Sequence, residues 1–440
     1  MVRLWERDVV AKRILFVGAP FGPLFRELAV SLENGGAEVY RVILDGGDHM
    51  ETPARNRIRL DRSVNWGRFI RQVLCERGID TIVTYNDTLP RNRIALAIAK
   101  RLNVSRLVLE NGYLRPHHIT LADNGVNGNS ELSRDPEVIR SAERPGRKCR
   151  EFSVNMRPHV VNTIRHFAWS SLLKPVLPYN PRYYGHSVAR QMIGYVGEYA
   201  WRVLHDESKL LARVVEHKEQ SKGRIFLTLM QKPGDGQIRY HSPFGSNLRF
   251  LNEVVRSFAA SAPSDAFLVV KQHPLDYGIE NLSEEFARLS KELGLEGRAV
   301  YMRKTGIAEL MRLSDCMVTI NSTGGLQGVM GGSPVKCMGK AVYDVEGLTF
   351  QGTLAEFWQD PVGPDPEFVE HYRNYLLATC QINGGFHTPE ARAILIPQLA
   401  RRILSIESTA AADREPRVAG AIRRDPAPAY EIGGRLIPAE

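Results

Sequence analysis

Two stretches of this chain show the same local pattern: a short β-branched apolar run, a glycine or proline break, a helix-length segment, and another apolar run. In the first, RILFVG (13–18) leads through APFGPLFRELAVSLENGG to VYRVIL (39–44), TIVTY (81–85), a helix near Arg93–Leu102, and RLVLE ending at Glu110. In the second, RIFLTLM (224–230) precedes a helix near 247–260, AFLVVKQHP (266–274), a helix over 283–293, AVYMR and a helix over 307–313. CMVTIN, a helix after Ser322, and one or two further short strands from PVKCMG and AVYDV complete it. Parallel strands need a crossover long enough for a helix, so this alternation predicts α/β architecture with parallel sheets. Ligands of such sheets bind at the carboxyl ends of the strands. No internal sequence repeat accompanies the two halves; their similarity lies in pattern.

The rest of the chain sets the boundaries. Residues 121–158 are rich in Asn, Ser, Arg and Pro and read as a loop excursion. The character changes at 159–220, with FAWSSLL, PYNPRYYGH and the helical run SVARQMIGYVGEYAWRVLHDESKLLARVVEH. The terminal AAADREPRVAGAIRRDPAPAYEIGGRLIPAE reads as a largely disordered tail. The expected organisation is an N-terminal domain over 1–158, a helical connection over 159–220, a C-terminal domain over 221–390, and a helix and tail over 391–440. In 440 residues, 43% hydrophobic and 24% charged, wholesale disorder is excluded. No apolar run reaches the eighteen or so residues of a membrane span. MVRLWERDVVAKR carries charges where a signal peptide needs its apolar core, so a cytoplasmic location is expected. Five scattered cysteines without a CxxC pair point to neither a disulfide framework nor a zinc site. The net charge of +9 favours anionic partners. Its basic residues are spread along the chain, which argues against a nucleic-acid arm.

Five polar motifs follow strands. Gly18-Ala-Pro-Phe-Gly22-Pro23 could present backbone amides to an anion, or be a plain turn. It lacks the spacing of GxGxxG and of GxxxxGK[ST], which disfavours NAD enzymes and P-loop ATPases. Glu110-Asn111-Gly112-Tyr113-Leu114-Arg115 offers a carboxylate for base work or hydroxyl binding, and Arg115 for an anion. Gln231-Lys-Pro-Gly-Asp235-Gly-Gln237-Ile238 holds an aspartate in a glycine-flanked loop, which is equally an ordinary turn. Lys271-Gln-His273-Pro274 brings a cation and an imidazole to a sheet end, suited to phosphate or carboxylate recognition. Asn321-Ser322-Thr323-Gly324-Gly325 combines hydroxyls with helix-terminal amides; a phosphate cradle and a simple N-cap share that arrangement. Together these motifs put polar groups at strand ends of both halves, expected to face a shared cleft.

The set ENGYLRPHHIT, GVNGNS, QxxxDxQI, HSPFGS, KQHPLD, NSTGGLQG, PVKCMG, YDVEGLT and QINGGFH, spread over about residues 13–390, resembles the capsule polysaccharide biosynthesis family of Gram-negative bacteria. Within it, the chain is most similar to the S-type β-Kdo transferases of group 2-like capsules. The resemblance implies a GT-B-like fold of two Rossmann-like domains. It also implies transfer of β-Kdo from CMP-β-Kdo, with retention, to a lysophosphatidylglycerol-type lipid, priming a poly-Kdo linker. On that resemblance, Asp235 is the nucleophile or ion-pair stabiliser at the anomeric carbon, and Glu110 activates or orients the acceptor. His273 and Lys271 contact the CMP phosphate or the Kdo carboxylate. Ser322 and Thr323 form the nucleotide-phosphate loop, oriented by Asn321, and Gln231 supports Asp235. Tyr113, Arg115 and, as a lesser candidate, Asp87 are acceptor contacts.

Two departures from the family pattern matter. Asn111 stands where many relatives carry a second acid, which weakens any mechanism needing adjacent carboxylates. Lys232-Pro233 replaces a Val-Glu pair before the aspartate. No DxD motif asks for a metal, and the single phosphate of CMP can be met by Lys and His; Asp45-Gly-Gly-Asp48 reads as a connecting turn. No metal or other cofactor is expected. A lipid acceptor would put the enzyme on the inner membrane surface. There Trp169, Tyr179, Tyr183, Tyr184, Trp201 and nearby arginines are candidate interfacial contacts, or else core packing. Other capsule assembly proteins are candidate partners. Two alternatives stay open: a non-catalytic capsule assembly or export protein, and a transferase using another CMP-sugar such as sialic acid.

Overall fold

The computed structural model describes residues 11–60, 65–144, 146, 148–177, 188–220, 223–406, 429–432 and 435–438. The apolar runs become strands: β1 (Arg13–Val17), β2 (Glu38–Ile43), β3 (Arg57–Arg59), β4 (Thr81–Tyr85), β5 (Ser105–Asn111) and β6 (His118–Asp123). They continue with β7 (Ile225–Leu229), β8 (Phe267–Lys271), β9 (Ala299–Met302), β10 (Cys316–Thr319), β11 (Val335–Cys337) and β12 (Gln381–Asn383). The first sheet has the order β12-β6-β5-β4-β1-β2-β3, and the second β11-β10-β7-β8-β9. Every pairing in the second sheet is parallel. In both, strand order reverses beside the first strand of the sheet, between β1 and β4 and between β7 and β10. That reversal is the switch point at which open α/β sheets bind ligands. The expected pair of Rossmann-like α/β units is present.

One expectation is corrected and two are made more definite. The 121–158 excursion begins with an unforeseen strand: β6 pairs antiparallel with β5, Glu110 opposite Thr120. An antiparallel partner needs only a turn, here 112–117, so a pattern built on helix crossovers passes over it. AVYDV forms turns in place of a strand, with Asp344 N–H donating to Ala341 O and Val345 N–H to Tyr343 O. Within the tail, Ala429–Ile432 and Arg435–Pro438 pair as an antiparallel ribbon; its other calls lie outside the described residues, 407–428 among them.

The chain divides into two compact units that are not contiguous in sequence, unlike the expected boundaries. One comprises 1–126, 149–180 and 382–440, the other 127–148 and 181–381. The first unit's core joins Ile14, Phe16, Leu28 and Leu109 to Leu395, Leu399 and Ile403 of the last long helix, Pro389–Leu404. That helix explains the recruitment of the C-terminal segment, since its apolar face completes the core beside helix Leu24–Asn34. Arg392 Nε adds a bond to Glu27 Oε2 (2.8 Å). The second unit's core gathers Phe226, Phe258, Phe357 and Trp358 edge to face.

Asp45-Gly-Gly-Asp48 is also more than a connecting turn. Asp45 caps helix Gly46–Glu51, accepting from Asp48 N–H at 2.9 Å. Its other oxygen lies 3.3 Å from His166 Nε2 on helix Arg157–Leu172. The glycines set the approach: a Cβ at Gly46 would lie 2.3 Å from Trp169 O, and one at Gly47 2.3 Å from His166 Nδ1. Arg41 pairs with Asp48, and Glu51 Oε1 lies 3.6 Å from His166 Nδ1. All five charged groups are buried.

Candidate functional site

The second unit supplies most of the expected site. β7, β8 and β10 are adjacent strands, and the Gln231–Asp235, His273 and Asn321–Thr323 motifs leave their carboxyl ends. Gln231 is buried, and its Nε2 reaches across the switch point to donate to Asn321 Oδ1. Asn247 fixes the Gln231 backbone in both directions: Gln231 N–H donates to Asn247 Oδ1 (3.1 Å), and Asn247 Nδ2 donates to Gln231 O (2.8 Å). Asn321 Nδ2 in turn reaches Gln237 O and Lys340 O, each at 3.4 Å.

Asp235 caps the short helix Gly236–His241, its Oδ1 accepting from Gln237 N–H at 2.9 Å. Burial raises its pKa against the pull of that N–H and of the Lys232 ammonium. Burial likewise lowers Lys232 to about 8, with Asp235 opposing. A desolvated carboxylate and ammonium therefore share one loop. Ser322 caps helix Thr323–Met330, its Oγ accepting from Gly324 N–H at 3.1 Å. Gly325 lets that helix approach the sheet, since a Cβ there would lie 2.8 Å from Thr319 Cγ2 on β10 and 2.3 Å from the Tyr343 hydroxyl. Helix-terminal amides beside two hydroxyls suit a phosphate at this helix start.

His273 Nδ1 accepts from Leu275 N–H at 3.0 Å, which leaves Nε2 as the protonated nitrogen of the neutral ring. Lys271 is corrected. It is buried, and its ammonium donates to Arg303 O (2.7 Å) and Met302 O (3.5 Å), so it ties the end of β9 instead of reaching toward a ligand. Sequence reading also missed Tyr277, whose hydroxyl donates to Pro233 O (3.3 Å) and joins the loop after β8 to the Asp235 loop. Glu207 went unnoticed as well; it accepts from Arg303, Lys304 and Thr305 backbone N–H groups and holds the loop after β9. In the same unit, a cavity of about 710 Å³ is lined by Arg134, Lys336, Lys340, Tyr240 and His241. Lys336 and Cys337 of β11 are among its lining residues, and Asp235, His273 and Ser322 are not.

The first unit carries the expected acceptor residues. Glu110 ends β5 half-buried, and its Oε1 accepts from Asn111 N–H at 2.9 Å. Asn111, at the position of a missing second acid, donates from Nδ2 to Tyr85 Oη (3.3 Å). Arg115 is exposed, with Nε donating to Gly112 O at 3.2 Å. Tyr113 is corrected: it lies in the turn between β5 and β6, and at 2% exposure its ring belongs to the core. Asp87 is buried too, its Oδ2 accepting from Val126 N–H (2.9 Å), which makes it a loop tie in place of an acceptor contact. The Gly18–Gly22 loop meets a carboxylate of its own chain, since Gly22 N–H donates to Glu51 Oε1 at 3.1 Å. By spacing alone, Asp45, Asp48 and His166 could ligate a metal, their donor atoms lying within 4.8 Å of one another. Arg41 against Asp48 already supplies compensating charge there.

The model of the family described as capsule polysaccharide biosynthesis protein matches residues 80–387. The capsule polysaccharide export protein KpsS of Escherichia coli is 33% identical over 383 residues, covering 86% of this chain and 97% of its own. The capsule polysaccharide modification protein LipB of Neisseria meningitidis serogroup B is 33% identical over 395 residues, with coverages of 86% and 92%. Among solved structures, the chain is similar to Thermosulfurimonas dismutans KpsC, a beta Kdo 2,7 transferase, at 13% identity and a TM-score of 0.41, over 89% of this chain and 98% of that one. With strand-end polar motifs in each of two Rossmann-like units and a family match spanning most of its length, the chain belongs to the capsule polysaccharide biosynthesis protein family.

Proposed function

We propose that this protein is a GT-B-type glycosyltransferase that moves β-Kdo from CMP-β-Kdo to a lysophosphatidylglycerol-type lipid with retention, priming a poly-Kdo linker in capsule synthesis. The observation that carries this reading is the convergence at the β7/β10 switch point. There the Gln231–Asn321 bond joins two strand ends, and Asp235 and Ser322 each open a helix. The Thr323 amide end, Ser322 and Lys232 would receive the single phosphate of the donor. His273, a proton donor through Nε2, would assist departure of CMP as negative charge grows on it. Asp235, raised in pKa by burial and so poorly solvated, would meet the anomeric carbon as nucleophile or as ion-pair partner. Glu110 would orient or deprotonate the acceptor hydroxyl. The protein would act on the inner membrane surface from the cytoplasmic side, where such a lipid is reached.

The test is transfer from CMP-Kdo to a fluorescent lysophosphatidylglycerol. Asp235→Asn is the informative variant, because asparagine caps a helix about as well as aspartate while removing the charge. Turnover should fall about a hundredfold or more with little change in melting temperature. Full turnover in that variant would remove Asp235 from the chemistry. Lipid or partner binding without donor consumption would favour the export-protein reading suggested by the name of the E. coli relative. Turnover with a different CMP-sugar alone would reassign the donor.

A further inference from the structure

Helices Arg157–Leu172 and Val188–Leu204 are built inside out. On the first, the buried residues are Asn162 and His166, while Val160, Val161, Ile164 and Leu172 are exposed. On the second, Gln191 and Glu198 are buried, and Met192, Ile193, Val196, Tyr199, Val203 and Leu204 are between 53% and 79% exposed. The spacing 192, 196, 199, 203 is that of a single helical stripe. A helix packed on a globular core in water turns that stripe inward, so both helices display the surface that a core would normally take.

Charge narrows the occupant. Between Phe152 and His205 the acidic residue is Glu198, against Arg157, Arg165, Lys174, Arg182, Arg190 and Arg202. Glu198 is buried and neutralised, pairing with Arg202 (3.1 Å) and with Arg303. Among the described residues, Arg157, Arg165, Lys174 and Arg190 are exposed beside the apolar side chains, the composition of an element that lies in an anionic bilayer interface. The aromatic anchors expected from sequence are different. Tyr179, Tyr183 and Tyr184 lie outside the described residues, and Trp201 is held under the Arg303 guanidinium, 3.7 Å from its ring centre. Trp169 is half-buried. Aliphatic side chains take the place of aromatic ones.

We propose that the outward faces of these two helices are docking surfaces for an anionic phospholipid bilayer. The proposal deepens the lipid-acceptor reading. Its test uses vesicles without nucleotide sugar, so failure of docking and failure of transfer are read separately. Full-length protein is floated with vesicles of phosphatidylcholine alone, or of phosphatidylcholine with about one-third phosphatidylglycerol. Wild type is expected to float with the anionic vesicles and to be released as salt rises. Ile193→Gln/Val196→Gln, and separately Val161→Gln/Ile164→Gln, should each bind about tenfold more weakly at an unchanged melting temperature, these side chains being exposed already. Three outcomes overturn the proposal: wild type that stays unbound with anionic vesicles, glutamine variants that float like wild type, and a wild-type dimer that these variants dissociate without any vesicle binding. The last would assign the faces to a second copy of the chain.

Discussion

His166 is an imidazole enclosed by three carboxylates and one guanidinium. Burial alone would lower its pKa, but Asp45 and Glu51 outweigh that and raise it to about 10. A histidine with a raised folded pKa stabilises fully below its unfolded value, near 6.5, and loses that contribution as pH rises through about 10. The melting temperature of wild type should therefore decline over that window, while His166→Ala, already destabilised by about 3–5 kcal/mol, should lack the decline. A second titration belongs to Lys232. Its pKa of about 8 means the ammonium is lost at moderately alkaline pH. If it meets the donor phosphate, KM for CMP-Kdo rises above pH 8 in wild type, and Lys232→Arg removes the rise. Both sites show what a linear reading can and cannot see. The strand-end positions of Asp235, His273 and Ser322 were legible because glycine and proline breaks mark strand ends. His166 was not, because its partner Asp45 lies 121 positions away. Lys271 and Tyr113 carried the right motif and the wrong direction, since a motif does not say whether a side chain turns toward ligand or backbone.

At the scale of elements, small residues decide how closely helices approach. Gly47 faces His166, and Gly325 faces Tyr343. Gly47→Ala should separate helix Gly46–Glu51 from helix Arg157–Leu172 and destabilise by about 1–3 kcal/mol in urea melts. Gly325→Ala should cost a similar amount and shift the Ser322 amide end, so donor KM should rise with it. The parallel strands were readable from their β-branched runs, being buried on both faces. β6 was harder because its partner is one turn away. The two inside-out helices were readable as helices by period. Which side each one buries depends on Asp45, Glu51 and Arg303, residues that the helical pattern does not contain.

For the molecule as a whole, the contiguous domains expected from composition give way to units that exchange chain at 126–127, 148–149, 180–181 and 381–382. Composition registers a change of character along the sequence, whereas unit membership follows which core an apolar face completes. Leu395, Leu399 and Ile403 close the first unit although they follow every strand of the second sheet in the sequence. Leu399→Ala should destabilise that unit by about 2–5 kcal/mol and leave the melting of the second unit in place, giving two separated calorimetric transitions. The same connectivity inverts the order in which the nascent chain matures. Synthesis begins with the first unit, yet its β-sheet cannot be sealed until residues 389–404 leave the ribosome, by which point every residue of the second unit has been made. A product truncated after Gln381 and released from the ribosome would hold a protease-resistant second unit beside an N-terminal portion still open to cleavage.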